Sequence, residues 1–216
     1  MNNINKIRGI MFDMDNTLLK SHIDFQSMKL EIAGFFMENG LLPETFPIAE
    51  HTASTIIEHV KLKGVSKKLY ETAMKIAVDH EVRGMEGAGL EPGALGLLQA
   101  LVKKYVLVIV TNNSFQAASQ ALQITGIKSN FDLIVGREQM QAMKPSPSGY
   151  LAAKQHFSSV KSDEWISVGD SWIDGRASMD AGIPFISYGR SGLLMEEKGI
   201  RTVAHINDLM QLLDYV

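Results

Sequence analysis

Four short polar clusters in this 216-residue sequence could together do chemistry, and each lies beside a segment of apolar residues. In chain order they supply two carboxylates, a hydroxyl, an ammonium and two further carboxylates. The clusters are Asp13-Met14-Asp15-Asn16-Thr17, Thr111-Asn112-Asn113-Ser114, Lys144-Pro145 and Gly169-Asp170-Ser171-Trp172-Ile173-Asp174. Carboxylate oxygens are the hard ligands that Mg²⁺ prefers, whereas a hydroxyl and an ammonium suit a phosphoryl group. The combination therefore favours metal-assisted chemistry at phosphorus.

Each cluster also has an ordinary structural explanation when it is taken alone. Asp13 and Asp15 could belong to a turn, residues 111–114 could cap a helix, and Lys144 could be a solvated charge. The carboxylates of the last cluster could favour the positive end of the next helix. These explanations treat one cluster at a time and do not account for the order of the four. We therefore interpret them as one site.

The apolar segments beside the clusters predict β-strands. Each is a short, nearly continuous apolar run rich in β-branched residues, which is typical of strands covered on both faces. The runs span residues 8–12, 106–110, 132–135, 165–169 and 184–188. Helix-like segments alternate with them over residues 115–125, 146–157 and 174–181. This alternation predicts an α/β fold, a Rossmann-like parallel sheet sandwiched by helices, whose ligands bind at the carboxyl ends of the strands.

Residues 20–86 break the alternation. They contain no strand-like run, and their apolar residues recur at helical spacing, so we predict an α-helical bundle inserted after the first strand. A glycine-rich stretch over residues 84–89 indicates a hinge or linker at the end of the insertion. The predicted domains are therefore an α/β core of residues 1–19 and 87–216 and a helical cap of residues 20–86.

Composition excludes several classes of function. The net charge is −3 with scattered Lys and Arg, which argues against nucleic acid as a partner. The absence of cysteine excludes disulfides and thiolate chemistry. The longest apolar run, residues 105–110, is far shorter than the roughly 18 to 20 residues of a membrane span, so we expect no membrane partner. The first six residues lack the apolar core of a secretory signal, and we expect a cytoplasmic protein.

The four clusters resemble, in order, the four motifs of the haloacid dehalogenase-like (HAD) hydrolase superfamily. The most specific element is Phe12-Asp13-Met14-Asp15-Asn16-Thr17-Leu18. The commonest form of that motif has glycine where Asn16 stands, but asparagine also tolerates a positive φ. The sequence is similar to the helical-cap subfamily that includes phosphoglycolate phosphatase and β-phosphoglucomutase. The resemblance implies a Mg²⁺-dependent hydrolase of phosphoric monoesters.

Residue chemistry assigns a role to each carboxylate of the clusters. Asp13 is predicted to bind Mg²⁺ through one oxygen and to attack phosphorus with the other, which forms an aspartyl-phosphate. Asp170 and the backbone carbonyl of Asp15 are the further predicted metal ligands. Asp174, one helical turn after Asp170, completes the predicted metal site, where it would support a metal-bound water or Lys144.

The remaining polar groups are predicted to handle the leaving group and the phosphoryl group. Asp15 would be the general acid for the first step and the general base for the second. The resemblance implies that dehalogenases lack this second aspartate, so its presence favours phosphoryl transfer. The hydroxyl of Thr111 and the backbone N–H groups of Asn112, Met14 and Asp15 would bind the phosphoryl group, while Lys144 offsets its charge.

The helical cap is expected to exclude water from the site and to select the leaving group. The resemblance implies that such caps rock about their two linkers, here residues 17–21 and 84–90. The candidate specificity residues near these linkers are Lys20, His22, Arg83 and Glu86. We expect the cap histidines at positions 51, 59 and 80 to face solvent. A mobile lid leaves room for a small phosphorylated metabolite such as phosphoglycolate, a sugar phosphate, a nucleoside monophosphate or pyrophosphate.

The sequence leaves three functions open. The one that we favour is a Mg²⁺-dependent phosphatase. A phosphomutase of the β-phosphoglucomutase type would use the same core residues and pass the phosphoryl group to a second hydroxyl. A non-catalytic binding scaffold is the third. The sequence also leaves open whether the protein is a monomer or a homodimer.

Overall fold

The computed structural model describes residues 7–189 and 192–216. The first six residues, which bear on the question of a secretory signal, lie outside this part of the chain. In chain order, the strands of the described residues are β1 (Gly9–Phe12), β2 (Leu19–Lys20), β3 (Gly89–Leu90), β4 (Val106–Val110), β5 (Leu133–Val135), β6 (Trp165–Gly169), β7 (Phe185–Tyr188) and β8 (Ala204–Ile206). Six of them form one sheet, in the order β5-β4-β1-β6-β7-β8.

All pairs within this sheet are parallel, and β1 lies between β4 and β6. Ile10 of β1, for example, is level with Leu107 on one side and with Ile166 on the other. Every residue of β1 and β6 is buried, as the continuous apolar runs predict for strands covered on both faces. The predicted parallel α/β sheet is confirmed.

Helices flank the sheet and form the inserted segment. In chain order they are α1 (Phe25–Glu38), α2 (Ala53–Leu62), α3 (Lys67–Met85), α4 (Ala94–Leu101), α5 (Phe115–Ile124), α6 (Ser148–His156), α7 (Trp172–Asp180) and α8 (Gly192–Glu197). Short 3₁₀ segments lie at Ile48–Glu50, Lys128–Asn130, Arg137–Gln139 and Leu209–Asp214. Across the described residues, none of the helices combines the length and the apolar character that a bilayer span requires.

The helix that carries Asp174 begins two residues earlier than the sequence pattern predicts. Asp174 is the third residue of α7, and its Oδ2 accepts a hydrogen bond of 3.0 Å from the backbone N–H of Ser171, the N-cap. A carboxylate at this position satisfies one of the N–H groups that a helix start leaves without an intrahelical partner. The bond orders the first turn of the helix directly after β6.

The backbone divides into two compact units, of which one is residues 21–87. This unit contains α1, α2 and α3, which contact one another, and apolar residues such as Ile32 and Val60 are fully buried. The other unit is the remainder of the chain and contains the sheet.

The prediction that three histidines of the helical unit face solvent is wrong. The rings of His51 and His59 lie against the ring of Phe46, with centroid distances of 4.7 and 5.2 Å. Burial lowers the pKa of His59. The imidazole of His80 is 11% exposed, and its Nε2 lies 2.7 Å from Oε2 of Glu31. Polar neighbours in sequence misled the prediction, because an imidazole is amphipathic and can pack the faces of its ring against other side chains.

Three short strands, β2, β3 and β8, were not predicted. The two-residue strands β2 and β3 pair antiparallel, with Leu19 opposite Leu90. The edge strand β8 pairs with β7 over three residues. Segments of two or three residues are too short to show an alternation of apolar and polar residues. Their conformation depends on the strand beside them.

Candidate active site

A tight turn follows β1 and carries the first two aspartates. The backbone N–H groups of Leu18 and Leu19 both donate to the carbonyl of Met14 at 2.9 Å, which closes the turn. Asn16 adopts a φ of 55°, in the left-handed region that asparagine tolerates better than most residues. The turn therefore accommodates asparagine where the commonest form of the motif has glycine.

Asp13 and Asp15 are both buried at this turn, with 8% and 7% of their surfaces exposed. Thr17, a residue of the same cluster to which the sequence assigned no role, donates from Oγ1 to Oδ2 of Asp13 at 3.2 Å. Met14, which lies between Asp13 and Asp15 in sequence, is fully buried. The proposed binding of a phosphoryl group by the backbone amides of Met14 and Asp15 stays a prediction.

Lys144 lies at the centre of the site and is only 1% exposed. Its Nζ is 2.6 Å from Oδ1 of Asp13 and 2.7 Å from Oδ1 of Asp174. A third contact, of 2.7 Å, runs to the backbone carbonyl of Val110 at the end of β4. The contacts to Asp13 and Val110 are hydrogen bonds, and the contact to Asp174 is an ion pair.

The buried charges perturb one another strongly. Burial alone would lower the pKa of Lys144, but the charges of Asp13 and Asp174 outweigh burial and hold that pKa well above its usual value. Burial raises the pKa of Asp174 to about 6, although the ammonium of Lys144 opposes the rise. Burial, followed by the charges of Asp13 and Asp174, raises the pKa of Asp170 well above its usual range. The carboxylates outnumber the single ammonium, so the site favours additional positive charge.

Three of these carboxylates are close enough to share a metal ion. One oxygen from each of Asp13, Asp170 and Asp174 lies within 4.8 Å of the others. Two ligands on opposite sides of Mg²⁺, each at about 2.1 Å, are roughly 4.2 Å apart, so small movements bring all three oxygens into range. The cluster contains only hard oxygen ligands, which suit Mg²⁺ better than a soft metal. The residues therefore fit the predicted cation.

Asn112 connects the end of β4 to Lys144. Its side-chain Oδ1 accepts from the backbone N–H of Lys144 at 2.8 Å, and its Nδ2 donates to the carbonyl of Lys144 at 3.0 Å. The sequence predicted only a use for its backbone N–H, and that use stays a prediction. The side chain fixes the main chain of Lys144 beside the sheet, 32 residues away in sequence.

Two further residues of the second cluster also take part. The hydroxyl of Thr111, which is 1% exposed, accepts from the backbone N–H of Asn113 at 3.2 Å. Asn113 in turn donates from Nδ2 to Oδ2 of Asp15 at 2.7 Å, and it is buried. Sequence reasoning placed Asn113 in the cluster but missed this contact. The available signal was a third polar residue directly after a buried strand.

A glycine at the end of β6 allows Asp174 to approach the sheet. A Cβ placed on Gly169 would lie 2.7 Å from both Cβ and Oδ2 of Asp174. Such contacts are too close for any side chain at position 169. The glycine therefore lets the carboxylate of α7 lie against the strand that ends beside Asp170.

The four candidate specificity residues are all exposed: Lys20, His22, Arg83 and Glu86. Within the helical unit, Arg83 donates from Nε to the carbonyl of Asp79 at 3.0 Å. Their predicted role toward a leaving group stays a prediction.

The sequence of this chain is similar to those of known hydrolases. A profile of the haloacid dehalogenase-like hydrolases matches residues 10–188. A phosphoglycolate phosphatase from Chromobacterium violaceum is 28% identical over 229 residues, which cover 97% of this chain and 99% of the relative. Pyrophosphatase PpaX from Listeria innocua is 25% identical over 189 residues, which cover 82% of this chain and 80% of the relative.

A solved structure extends the likeness to the fold. The HAD-hydrolase YfnB from Bacillus subtilis, solved bound to magnesium, superposes with a TM-score of 0.60 at 19% identity, covering 97% of this chain and 98% of that one. The family profile covers the turn after β1, the second cluster, Lys144 and the acidic residues after β6. The family predicted from the sequence is thus confirmed, and this chain belongs to the haloacid dehalogenase-like hydrolases.

Proposed function

We propose that this enzyme is a Mg²⁺-dependent phosphatase that hydrolyses a small phosphomonoester through an aspartyl-phosphate on Asp13. The observation that carries the proposal is the position of Asp13. Its carboxylate pairs with buried Lys144 and lies within 4.8 Å of carboxylate oxygens of Asp170 and Asp174. The likeness to a phosphoglycolate phosphatase and a pyrophosphatase supports chemistry at phosphorus.

Asp13, Asp170 and the backbone carbonyl of Asp15 would hold the cation, with Asp174 as a ligand or as support for one. Bound Mg²⁺ would shield the negative charge of the phosphoryl group from that of the attacking carboxylate and act as a Lewis acid. The YfnB structure, which contains magnesium, supports this choice of ion.

The chain's own groups carry out two displacements. An oxygen of Asp13 attacks phosphorus, so one O–P bond forms while the bond to the leaving oxygen breaks. Asp15 gives its proton to the leaving oxygen, which departs as an alcohol. Water then attacks the aspartyl-phosphate and returns a proton to Asp15, which releases inorganic phosphate and restores the carboxylate of Asp13.

Lys144 and Thr111 prepare the site for these steps. Lys144 donates a hydrogen bond to Oδ1 of Asp13 and forms an ion pair with Asp174, so its first effect is to hold the attacking carboxylate of Asp13 in place. Its positive charge also offsets charge on the phosphoryl oxygens, and a donor becomes available to them when one of these contacts is exchanged. The hydroxyl of Thr111 accepts from a backbone N–H and keeps its own proton to donate to the phosphoryl group.

The proposed substrate is a small phosphorylated metabolite in the cytoplasm. Phosphoglycolate-like acids, sugar phosphates and nucleoside monophosphates suit the proposal, and the PpaX likeness adds pyrophosphate. The division into a helical cap of residues 20–86 and a core of residues 1–19 and 87–216 is part of the proposal, because a lid favours small substrates.

The test is release of inorganic phosphate from a panel of these compounds with Mg²⁺. We expect turnover by the wild type, loss of turnover in EDTA that added Mg²⁺ reverses, and loss of turnover in Asp13→Asn. The matched control is Asp180→Asn, an exposed position where the same change should have no effect. Isomerisation of glucose phosphates without phosphate release would instead indicate a phosphomutase. Failure of the wild type to turn over any aryl or alkyl phosphate would indicate a non-catalytic scaffold.

A further inference from the structure

We infer that Asn113 is the positioning residue for Asp15, the proposed general acid and base. Its Nδ2 donates to Oδ2 of Asp15 at 2.7 Å across a sequence separation of 98 residues. Asn113 is 5% exposed and Asp15 is 7% exposed, so water does not compete freely for the contact. A buried hydrogen bond to a carboxylate is shorter and stronger than one between neutral groups.

The main chain of Asn113 is held at both of its polar groups. Its N–H donates to Oγ1 of Thr111 at 3.2 Å, and its carbonyl accepts from the N–H of Arg137 at 3.0 Å. Arg137 begins the 3₁₀ segment Arg137–Gln139. The amide of Asn113 therefore projects from an anchored backbone, and little freedom is lost when it bonds to Asp15.

The chemistry of an amide nitrogen gives the contact a direction. The Nδ2 group has donors and no acceptor, so it bonds to a carboxylate oxygen that carries no proton on that side. The proton that Asp15 gives and takes is therefore carried by its other oxygen, Oδ1. In this way Asn113 fixes the orientation of the carboxyl group and selects the oxygen that exchanges the proton with the leaving group.

This inference rests on the proposed function, and the two can fail separately. Removal of Asn113 should slow a reaction that needs a proton on the leaving group and should spare a reaction that does not. Loss of a merely structural contact would slow both reactions together. The comparison therefore requires two substrates of similar size whose leaving groups differ in acidity.

The experiment measures kcat/KM, which reports the first displacement, for phenyl phosphate and for 2,4-dinitrophenyl phosphate in the presence of Mg²⁺. For Asn113→Ala we expect a loss of about 10- to 100-fold with phenyl phosphate, because one hydrogen bond to a charged group that positions a general acid is removed. With 2,4-dinitrophenyl phosphate, whose leaving group needs no proton, we expect a loss below about threefold. Asn113→Ser keeps a small polar side chain that is too short to reach Asp15, and it should behave in the same way if Asn113→Ala folds poorly.

Two controls complete the design. Asn207→Ala makes the same change at an exposed position and should leave both values unchanged. Asp15→Asn should itself lose far more activity with phenyl phosphate, and the double variant should be no slower than Asp15→Asn alone, because Asn113 acts only through Asp15. Equal losses with the two substrates, or losses that multiply in the double variant, would overturn the role of Asn113. If Asp15→Asn affects both substrates equally, the proposed function fails as well.

Discussion

Replacement of Lys144 by methionine tests whether this lysine is the counter-ion that Asp13 and Asp174 share. Methionine is also unbranched, but it carries no charge. In the wild type the ammonium lies 2.6 Å from Oδ1 of Asp13 and 2.7 Å from Oδ1 of Asp174, and it is 1% exposed. Lys144→Met therefore leaves two buried carboxylates that face each other without their shared cation.

The size of the effect follows from the burial of the pair. Removal of one partner from a buried ion pair costs about 3 to 5 kcal/mol of unfolding free energy, because the other charge stays desolvated. In a chain of this size each 1 kcal/mol corresponds to a shift of about 2 to 4 °C in Tm. We therefore expect Tm to fall by roughly 6 to 20 °C at pH 8 without metal. The loss should shrink at pH 5, since the pKa of Asp174 is already about 6 beside the ammonium and rises further without it.

Thermal unfolding followed by circular dichroism in EDTA provides the assay. Lys161→Met makes the same change at an exposed position and should not alter Tm by more than about 2 °C. The double variant Lys144→Met with Asp174→Asn should recover part of the loss, because one of the two unpaired charges is removed. A Lys144→Met protein that melts within about 2 °C of the wild type at pH 8 would refute the description of Lys144 as the buried counter-ion.

Asp15→Asn should still accept the phosphoryl group from 2,4-dinitrophenyl phosphate but hydrolyse the aspartyl-phosphate slowly, so acid quenching should trap phosphorylated protein; no trapped species would contradict the general base. Gly169→Ala should displace Asp174, since the new Cβ would lie 2.7 Å from its Oδ2. We expect about 100-fold lower kcat and weaker Mg²⁺ binding in calorimetry, whereas Gly34→Ala, which enters open space in α1, should retain both. Mg²⁺ affinity should fall as the pH is lowered through about 6, because burial raises the pKa of Asp174 to about 6 and protons then compete with the ion; equal calorimetric Kd values at pH 5 and pH 8 would count against this. The metal-free protein should show the opposite trend in stability. Because the pKa of Asp174 in the folded state exceeds the ordinary value of 3.8, the stabilisation is complete below pH 3.8 and is lost as the pH rises through about 6.

The order of residue types along the chain was enough to predict the parallel sheet and the edge at which the polar residues meet. Continuous apolar runs identify strands that are covered on both faces, and parallel strands place their carboxyl ends at one edge. The structure adds the strand order: β1 lies between β4 and β6, so the residues that follow these strands come together, and Asp13, Thr111 and Asp170 follow them. Periodicity also identified the inserted segment as helical, because burial of one helix face repeats along the chain.

The pairing of particular side chains is visible only in the folded chain. No pattern in the sequence indicates that Lys144 bonds to Asp13 across 131 residues, or that Asn113 bonds to Asp15 across 98 residues. The same limit applies to β8, whose three residues form a strand because β7 lies beside them. The physical reason is that periodicity reports the solvent exposure of a segment, whereas a hydrogen bond or an ion pair depends on distances of about 3 Å between segments that only the folded chain brings together.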